Sequence, residues 1–301
     1  MTNLLLGERT AREIDEQVEK VLSDLGQPEL PLRLEVVREL LRLDRAYYSS
    51  GETSVLQETI HHIRVAGKQV LRRPSLLLDV VRKCELKALW LPDRKRILID
   101  AELPESKQRW GEGHEIGHSI VPWHESMTHG DHRYTLSFSC QQQLEAEANY
   151  AAGRLLFLRN RFVEEIHGSP ITFDRIRELG KLFGNTITST LWRAVESLDV
   201  PAIGLVSIRP HEVPSNGDAA VRHFIRSPSF AERFDTITDL DLFGVLGRYC
   251  SSGRGPVGKA DVALPDTNGI EHLFRFESFD NYHDTLTLGL YQGLRPCVVA
   301  V

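Results

Sequence analysis

The sequence contains few cysteines and no long hydrophobic run. Four thiols occur in 301 residues, and none belongs to a C-x-x-C pair: Cys84, Cys140, Cys250 and Cys297. Disulfides this sparse cannot hold a chain of this length together, so we expect reduced thiols in a cytoplasmic protein. No apolar stretch approaches the ~20 residues of a membrane-spanning helix. The first residues also lack the basic region and the cleavage site of a signal peptide, and we predict no membrane partner.

Charge is close to balanced overall but unevenly distributed. The formal net charge is -6, yet residues 61–96 contain ten Lys and Arg against three Asp and Glu. Such a stretch is typical of a solvated face; the alternative is a docking surface for an acidic protein or for nucleic acid. The length allows two or three domains.

Hydrophobic spacing predicts mostly helices up to residue 198. The predicted helices cover 8–26, 31–47, 55–83, 141–158 and two or three short segments within 162–198. "KALWLP" and "KRILIDAELP" predict the two strands of a hairpin around the turn "PDRK". Within 162–198, the turn "FGNT" between two helical patterns has the outline of a helix-turn-helix.

The pattern changes after Pro201. "AIGLVSI", "HLFRFESF", "DTLTLGLY" and "CVVAV" predict strands, and helical stretches near 218–225 and 239–248 lie between them. We therefore predict an α+β protein in three parts. Residues 1–160 form a mostly helical domain with a small sheet, residues 161–199 a helical segment resembling a helix-turn-helix, and residues 200–301 a C-terminal α+β domain.

The stretch "GEGHEIGHSI" contains the pattern His-Glu-x-x-His. Positions i and i+4 of a helix lie on one face, so His114 and His118 can present two imidazoles to one Zn²⁺ ion. Glu115 lies beside them and can take a proton from a water molecule. A catalytic zinc site needs a third protein ligand, which the pentapeptide does not supply.

Two residues are candidates for the third ligand. His124 occupies the position that metzincins use, but those proteins need a glycine at position 121, where this chain has valine followed by proline. Glu145 lies one helical turn before Asn149, which can hydrogen-bond a ligating imidazole and orient it. Glu147 lies about 200° around the same helix and cannot share that face. We therefore predict Glu145 as the ligand.

Together the two motifs resemble the ImmA/IrrE family of metallopeptidases. That family pairs a hairpin strand with Arg-x-x-x-x-His-Glu-x-x-His and follows it with Glu-x-x-Ala-Asn-x-x-Ala-x-x-Leu-Leu. The matching residues are Arg109 ahead of the first motif and Glu145, Ala148, Asn149, Ala152, Leu155 and Leu156 in the second. The resemblance covers roughly residues 8–198. It departs at the His-rich connection 124–140 and at "LLFLRN", where the family usually has Leu-Leu-Met-Pro, but the zinc motif is intact.

The resemblance implies a zincin-like, cytoplasmic zinc endopeptidase. Such enzymes typically cleave a helix-turn-helix transcriptional repressor and thereby switch on genes of a stress response, a defence system or a mobile element. The longest relatives add a helix-turn-helix-like segment and a GAF-like sensory domain, for which residues 161–199 and 200–301 have the length. The basic stretch 61–96 is compatible with single- or double-stranded DNA as an activator.

A peptidase needs further groups around the metal. The connecting loop offers His129, His132 and Tyr134 as donors to the tetrahedral oxyanion, and the sequence does not choose among them. We expect an edge strand at 95–100, which includes Leu98, to bind the substrate as an added strand. Cys140 is either a small, partly buried residue or a fourth, inhibitory zinc ligand.

Two other functional interpretations stay open at this point. One is a non-proteolytic regulator that binds DNA or a repressor and uses zinc structurally, which the basic stretch 61–96 and the helices of 162–198 support. The other is metal-dependent hydrolysis of a substrate that is not a peptide.

Overall fold

The computed structural model describes residues 2–26, 28–48, 88–91, 95–129, 138–212 and 219–296. The chain divides into two compact units. We call Leu6–Phe162 with Leu182–Asn185 the N-terminal unit, and Met1–Leu5 with Val163–Lys181 and Thr186–Val301 the C-terminal unit. Both units combine helices with a sheet, so the predicted α+β class is confirmed. The three predicted domain ranges stay a prediction.

The N-terminal unit contains five helices and three strands among the described residues. The helices are α1 (Glu8–Asp24), α2 (Leu34–Leu41), α3 (Glu105–Ile120), α4 (Pro122–His129) and α5 (Phe138–Leu156); the strands are β1 (Asp44–Tyr48), β2 (Ala88–Leu91) and β3 (Arg96–Asp100). Helix α1 buries the apolar stripe that its spacing predicts: Ile14, Val18, Val21 and Leu22. The helix predicted over 55–83 and most of the basic stretch 61–96 lie outside the described residues.

The small sheet confirms the predicted hairpin but shortens the helix predicted over 31–47. Strands β2 and β3 pair antiparallel, and β1 pairs parallel with β3 on its other side. The prediction that 31–47 is helical is therefore wrong beyond Leu41. Arg42, with a left-handed φ of 55°, ends the helix, and the aromatic-rich segment "DRAYY" then extends along β3.

Strand β3 is not an edge strand, contrary to the expectation for 95–100. It is the middle strand of the three described, and Ile97, Leu98 and Ile99 are buried in succession. A strand with consecutive buried residues is covered on both faces, and its backbone groups are already paired on both sides. Leu98 therefore belongs to the core and does not line a substrate-binding edge.

Two glycines bring helices α3 and α5 into close contact. A Cβ atom on Gly117 would lie 2.5 Å from the carbonyl oxygen of Ala148, and one on Gly113 would lie 2.7 Å from a methyl carbon of Leu156. Opposite Gly117, α5 presents two small, fully buried residues, Ala148 and Ala152. The backbones can therefore approach closely, and the helix with His114 and His118 lies directly against the helix with Glu145.

Three helices connect the two sheets in the chain. They are α6 (Asn160–His167), α7 (Phe173–Phe183) and α8 (Ile187–Glu196), and the division between the units falls within α6 and again within α7. The two helices predicted around "FGNT" are thus present, and Thr186 caps α8 by accepting a hydrogen bond from the backbone N–H of Ser189. Their role as a DNA-binding helix-turn-helix stays a prediction.

The C-terminal unit is built on a five-stranded antiparallel sheet. Its strands are β4 (Ala202–Ser207), β5 (Val221–Arg226), β6 (Gly255–Pro265), β7 (Glu271–Asp280) and β8 (Thr285–Leu294), in the order β5-β4-β8-β7-β6. Helices α9 (Pro228–Arg233) and α10 (Asp239–Leu246) follow β5. The core contains Phe230, Phe234 and Phe274, packed with apolar residues of the strands and of α10.

Three of the four strands predicted after Pro201 are confirmed, and "CVVAV" lies outside the described residues. The helix predicted near 218–225 is wrong: "VRHFIR" is strand β5, because Val221 and Phe224 are buried and the segment pairs with β4. The helix near 239–248 is confirmed as α10, with a capping box between Thr238 and Asp241. Within the described ranges, no helix is long and apolar enough to cross a membrane.

Candidate metal centre

Three potential ligand atoms converge between helices α3 and α5. The Nε2 atoms of His114 and His118 lie 3.2 Å apart. The two carboxylate oxygens of Glu145 lie 3.2 Å from Nε2 of His114 and 3.6 Å from Nε2 of His118. Among the described residues, these three form the one group of His, Cys, Asp or Glu side chains close enough to hold a metal ion. The sequence-predicted triad is therefore brought together.

The donor types and the spacing of the two histidines suit a zinc site. Zinc–nitrogen and zinc–oxygen bonds of about 2.0–2.1 Å at tetrahedral angles place neighbouring ligand atoms roughly 3.3–3.4 Å apart. The 3.2 Å between the two Nε2 atoms is close to that value. The Glu145 carboxylate approaches His114 through Oε2 at 3.2 Å and His118 through Oε1 at 3.6 Å. Two imidazoles and one carboxylate also form a donor set that suits zinc better than magnesium or calcium, which prefer oxygen ligands.

Asn149 orients the first histidine. Its Oδ1 atom lies 3.0 Å from Nδ1 of His114, as the one-turn spacing from Glu145 predicts. The amide oxygen can only accept, so in a neutral ring the proton is on Nδ1 of His114. Nε2 of His114 then presents its lone pair to the candidate metal position, which is the tautomer that a metal ligand requires.

His124 contacts the second histidine instead of joining the triad. Pro122 makes Val121 extended and starts helix α4, so the chain turns back after α3. Nδ1 of His124 comes within 2.9 Å of Nδ1 of His118. Val121 and Pro122, which argued against His124 as a ligand, thus place it in hydrogen-bonding contact with the candidate ligand His118.

Glu147 contacts His124 on the side away from His118, and the sequence did not predict this contact. Its Oε2 atom lies 2.9 Å from Nε2 of His124, and it also accepts hydrogen bonds from Trp123 and Gln143. The prediction that Glu147 faces away from Glu145 is consistent with this position. The sequence did contain one signal, a histidine and a tryptophan directly after the proline that ends α3.

The electrostatics of the triad favour a positive charge at its centre. When their rings are protonated, His114 and His118 donate hydrogen bonds from Nε2 to Glu145 and hold the pKa of that carboxyl well below its usual range. In the neutral tautomer with the proton on Nδ1, a cation would take the place of these Nε2 protons. Burial by itself lowers the pKa of His114, but the hydrogen bond to Glu145 and the charges of Glu115 and Glu145 outweigh it and raise that pKa. For His118 burial dominates, and its pKa is lowered. A cation between the carboxylate and the two rings satisfies all three groups.

Glu115 is buried on the same helix, next to His114. Its negative charge contributes to the raised pKa of His114, so the carboxylate is within electrostatic reach of the triad. Side chains at consecutive helix positions point about 100° apart. Glu115 therefore lies beside the three candidate ligands rather than among them.

The remaining predicted site residues are not brought into the triad. Cys140, in the first turn of α5, is half-buried and is not among the three converging residues. His129 is the last residue of α4, with its side chain outside what the structure describes, and His132 and Tyr134 lie outside the described residues altogether. The inhibitory role of Cys140 and the three oxyanion donors stay predictions.

A buried ion cluster anchors helix α3 away from the triad. Glu112 accepts hydrogen bonds from Nε of Arg38 at 2.5 Å and from Nη1 of Arg45 at 2.9 Å. These arginines belong to α2 and β1, so one carboxylate ties the motif helix to two other elements. Arg109 donates to the backbone carbonyl of Phe183, and burial lowers the pKa of its guanidinium. Arg109 thus has a structural contact within the N-terminal unit.

Comparison with known proteins supports the fold but not an activity. No protein-family model and no curated protein sequence matches this chain. The chain is similar to a solved structure described as a Mycobacterium tuberculosis transcriptional regulator, with a TM-score of 0.53 and 12% sequence identity. The match covers 97% of this chain and 96% of the other. At this identity the similarity shows a shared fold alone.

Proposed function

We propose that this protein is a zinc-dependent endopeptidase of the ImmA/IrrE type that cleaves a helix-turn-helix transcriptional repressor. Cleavage would derepress genes of a stress response, a defence system or a mobile element. One observation carries the proposal: potential ligand atoms of His114, His118 and Glu145 lie within 4.8 Å of one another, with Glu115 on the same helix as the two histidines. That combination is what metal-assisted peptide hydrolysis needs.

Two features of the triad support a catalytic rather than a structural zinc site. Structural sites enclose zinc with four protein ligands, whereas catalytic sites use three and keep one position open. Three converging residues are found in the described part of the chain, and the Glu145 side chain is 61% exposed. An exposed ligand leaves room for a substrate to approach, which supports hydrolysis over a purely structural use of zinc.

The chain's own residues supply the proton transfers of the proposed reaction. When bound, zinc would act as a Lewis acid that polarises the scissile carbonyl and lowers the pKa of the attacking water. Glu115 would accept a proton from that water and return it to the leaving amine. Asn149 would keep His114 in the tautomer that presents Nε2.

The proposed regulatory role has three sources of support: a structural neighbour, the family resemblance and a basic stretch. The structural neighbour is itself described as a transcriptional regulator. The resemblance to the ImmA/IrrE family adds a cytoplasmic location and a repressor as the substrate. DNA, single- or double-stranded, is a proposed activator because residues 61–96 are strongly basic.

A non-proteolytic regulator with a structural zinc site is the second candidate function. The description of the structural neighbour, which mentions no protease, favours it. Glu115→Gln discriminates between the two, because an amide cannot act as a general base yet keeps the size of the side chain. In cells that carry a reporter under the repressor, we expect wild type to derepress it and Glu115→Gln to fail.

The matched control is His114→Ala, which removes a candidate ligand. Zinc content separates the two variants: Glu115→Gln should keep the metal, and His114→Ala should lose it. Reporter induction by zinc-loaded Glu115→Gln at the wild-type level would favour the non-proteolytic regulator. A gene for a small helix-turn-helix repressor beside this one, where present, would supply the first substrate to test.

A further inference from the structure

We infer that His124 and Glu147 are positioning residues that set the tautomer of His118 and thereby hold its Nε2 atom ready for the metal. The inference rests on the proposed function, because it assigns these two residues to the same zinc site. Neither residue touches the candidate metal position. They act through His118, which makes them part of the site although they are not ligands.

The three side chains form one continuous hydrogen-bonded row. Oε2 of Glu147 lies 2.9 Å from Nε2 of His124, and Nδ1 of His124 lies 2.9 Å from Nδ1 of His118. Nε2 of His118 faces His114 and Glu145 at the other end. The row therefore runs from a buried carboxylate, through two imidazole rings, to the point where the ligand atoms converge.

Proton counting along this row gives a single arrangement for neutral rings. A carboxylate can only accept, so the proton between Glu147 and His124 is on Nε2 of His124. A neutral imidazole carries one N–H, which leaves Nδ1 of His124 as an acceptor. Nδ1 of His118 must then donate, and Nε2 of His118 keeps its lone pair for the metal.

Because His124 and Glu147 are buried, each of their polar atoms needs a hydrogen-bond partner, which favours this one arrangement of protons. His124 is 1% exposed and Glu147 is 5% exposed, so an unmatched polar atom in this row would be costly. Trp123 and Gln143 donate further hydrogen bonds to the Glu147 carboxylate and hold it in place. If the His124–Glu147 pair only stabilised the fold, Nδ1 of His124 would not need to contact the candidate ligand His118.

The two histidine ligands are thus oriented by different means with the same result. Nδ1 of His114 meets the amide oxygen of Asn149, and Nδ1 of His118 meets a ring nitrogen that Glu147 has made an acceptor. Both Nε2 lone pairs consequently face Glu145. Without a cation between them these electron pairs would repel one another, so the outer hydrogen bonds prepare the site for a metal.

The test compares zinc affinity among full-length variants by competition with a chromophoric chelator. Glu147→Gln is nearly isosteric, but its amide can donate to His124, which permits the opposite tautomer along the row. His124→Ala removes the link altogether. His167→Ala, which removes an exposed histidine at the end of α6, is the matched control. Thermal unfolding in the presence of EDTA checks that each metal-free variant folds.

We expect Glu147→Gln and His124→Ala to bind zinc about 10–100-fold more weakly than wild type, with no change for His167→Ala. The visible absorption spectrum of the Co²⁺-loaded protein should also change in the first two variants, because it reports ligand geometry and not fold stability. Wild-type affinity and an unchanged cobalt spectrum in Glu147→Gln would overturn the inference.

Cleavage assays keep this test separate from that of the proposed function. If wild type binds zinc but cleaves no repressor, the peptidase proposal fails while the affinity differences still decide the role of His124 and Glu147. If wild type binds no zinc, both proposals fail together.

Discussion

At the scale of single residues, helical spacing is enough to place most of the candidate metal centre. His114 and His118 are four residues apart, and Glu145 and Asn149 are four residues apart, so each pair occupies one face of its helix. The structure brings the two faces together, with the ligand atoms at 3.2–3.6 Å. Asn149 has the position behind His114 that a residue orienting a ligand needs.

Substitution of Asn149 tests this orienting role. Asn149→Ala removes the acceptor that holds the proton on Nδ1 of His114. We expect zinc affinity to fall about 10–100-fold, the usual effect of losing such a hydrogen bond to a ligand. Competition with a chelator measures it. Gln142→Ala, at an exposed position on the same helix, is the control, and an equal loss in both variants would contradict the prediction.

The hydrogen-bonded row from His118 through His124 to Glu147 could not be predicted from the sequence. Spacing along α5 correctly separates Glu147 from Glu145, but it does not reveal what Glu147 meets. That depends on the turn at Val121 and Pro122, which aims α4 back toward α3. A contact between residues of three helices requires their packing, and no local pattern encodes it.

At the scale of helices and strands, the candidate metal centre depends on the close packing of α3 against α5. Gly113 and Gly117 face Leu156 and Ala148 with no room for another carbon atom. The composition of α5 predicts a helix there, whereas α3 was inferred from the spacing of its two histidines, since its three glycines do not favour helix. Strands β1, β5 and β6 were missed. Strands β1 and β5 are short, and all three are specified by pairing with β3, β4 and β7 rather than by their own pattern.

Gly117→Ala tests whether this close approach supports the metal centre. The added methyl group would lie 2.5 Å from a backbone oxygen, so the helices must separate. We expect a loss of about 1–3 kcal/mol in the free energy of unfolding, together with weaker zinc binding. Urea unfolding and chelator competition measure the two effects.

Gly244→Ala is the control for Gly117→Ala. A Cβ atom on Gly244 meets nothing within 4 Å, and this glycine lies inside helix α10. Alanine is favoured over glycine in a helix interior by up to about 1 kcal/mol, so we expect this variant to be as stable as wild type or more so. A Gly117→Ala protein with wild-type stability and zinc affinity would show that close packing is not required.

Glu112 provides a second test of how helix α3 is anchored. Glu112→Ala would leave the guanidinium groups of Arg38 and Arg45 without their shared carboxylate, and both side chains are largely buried. We expect a loss of about 3–5 kcal/mol in the free energy of unfolding, measured with urea. Glu105→Ala, at an exposed position in the first turn of α3, should change it little, and similar values for both variants would refute the prediction.

At the scale of the whole molecule, the candidate ligands all belong to the N-terminal unit. His114, His118 and Glu145 lie within Leu6–Phe162, whereas the five-stranded sheet lies within Thr186–Val301. The α+β class was predictable from the change of pattern after Pro201. The grouping of Val163–Lys181 with the second sheet was not, because it depends on contacts far apart in the sequence.

Zinc binding should therefore stabilise the two units unequally. A ligand at 1,000 times its Kd stabilises the form that binds it by about 4 kcal/mol. In hydrogen–deuterium exchange with and without zinc, we expect slower exchange in α3 and α5 and little change in strands β4 to β8. Equal protection of the C-terminal sheet would contradict the assignment of the metal to the N-terminal unit.

The central claim is that zinc at His114, His118 and Glu145 works with Glu115 to hydrolyse a peptide bond. The most direct measurement is mass spectrometry of the repressor after incubation with wild type and with Glu115→Gln, each loaded with one equivalent of zinc. We predict that wild type produces two fragments from one cleavage site, and that Glu115→Gln leaves the repressor intact while retaining its zinc. Cleavage by Glu115→Gln at the wild-type rate, or an intact repressor with the zinc-loaded wild type under all activating conditions, including added DNA, would contradict the account.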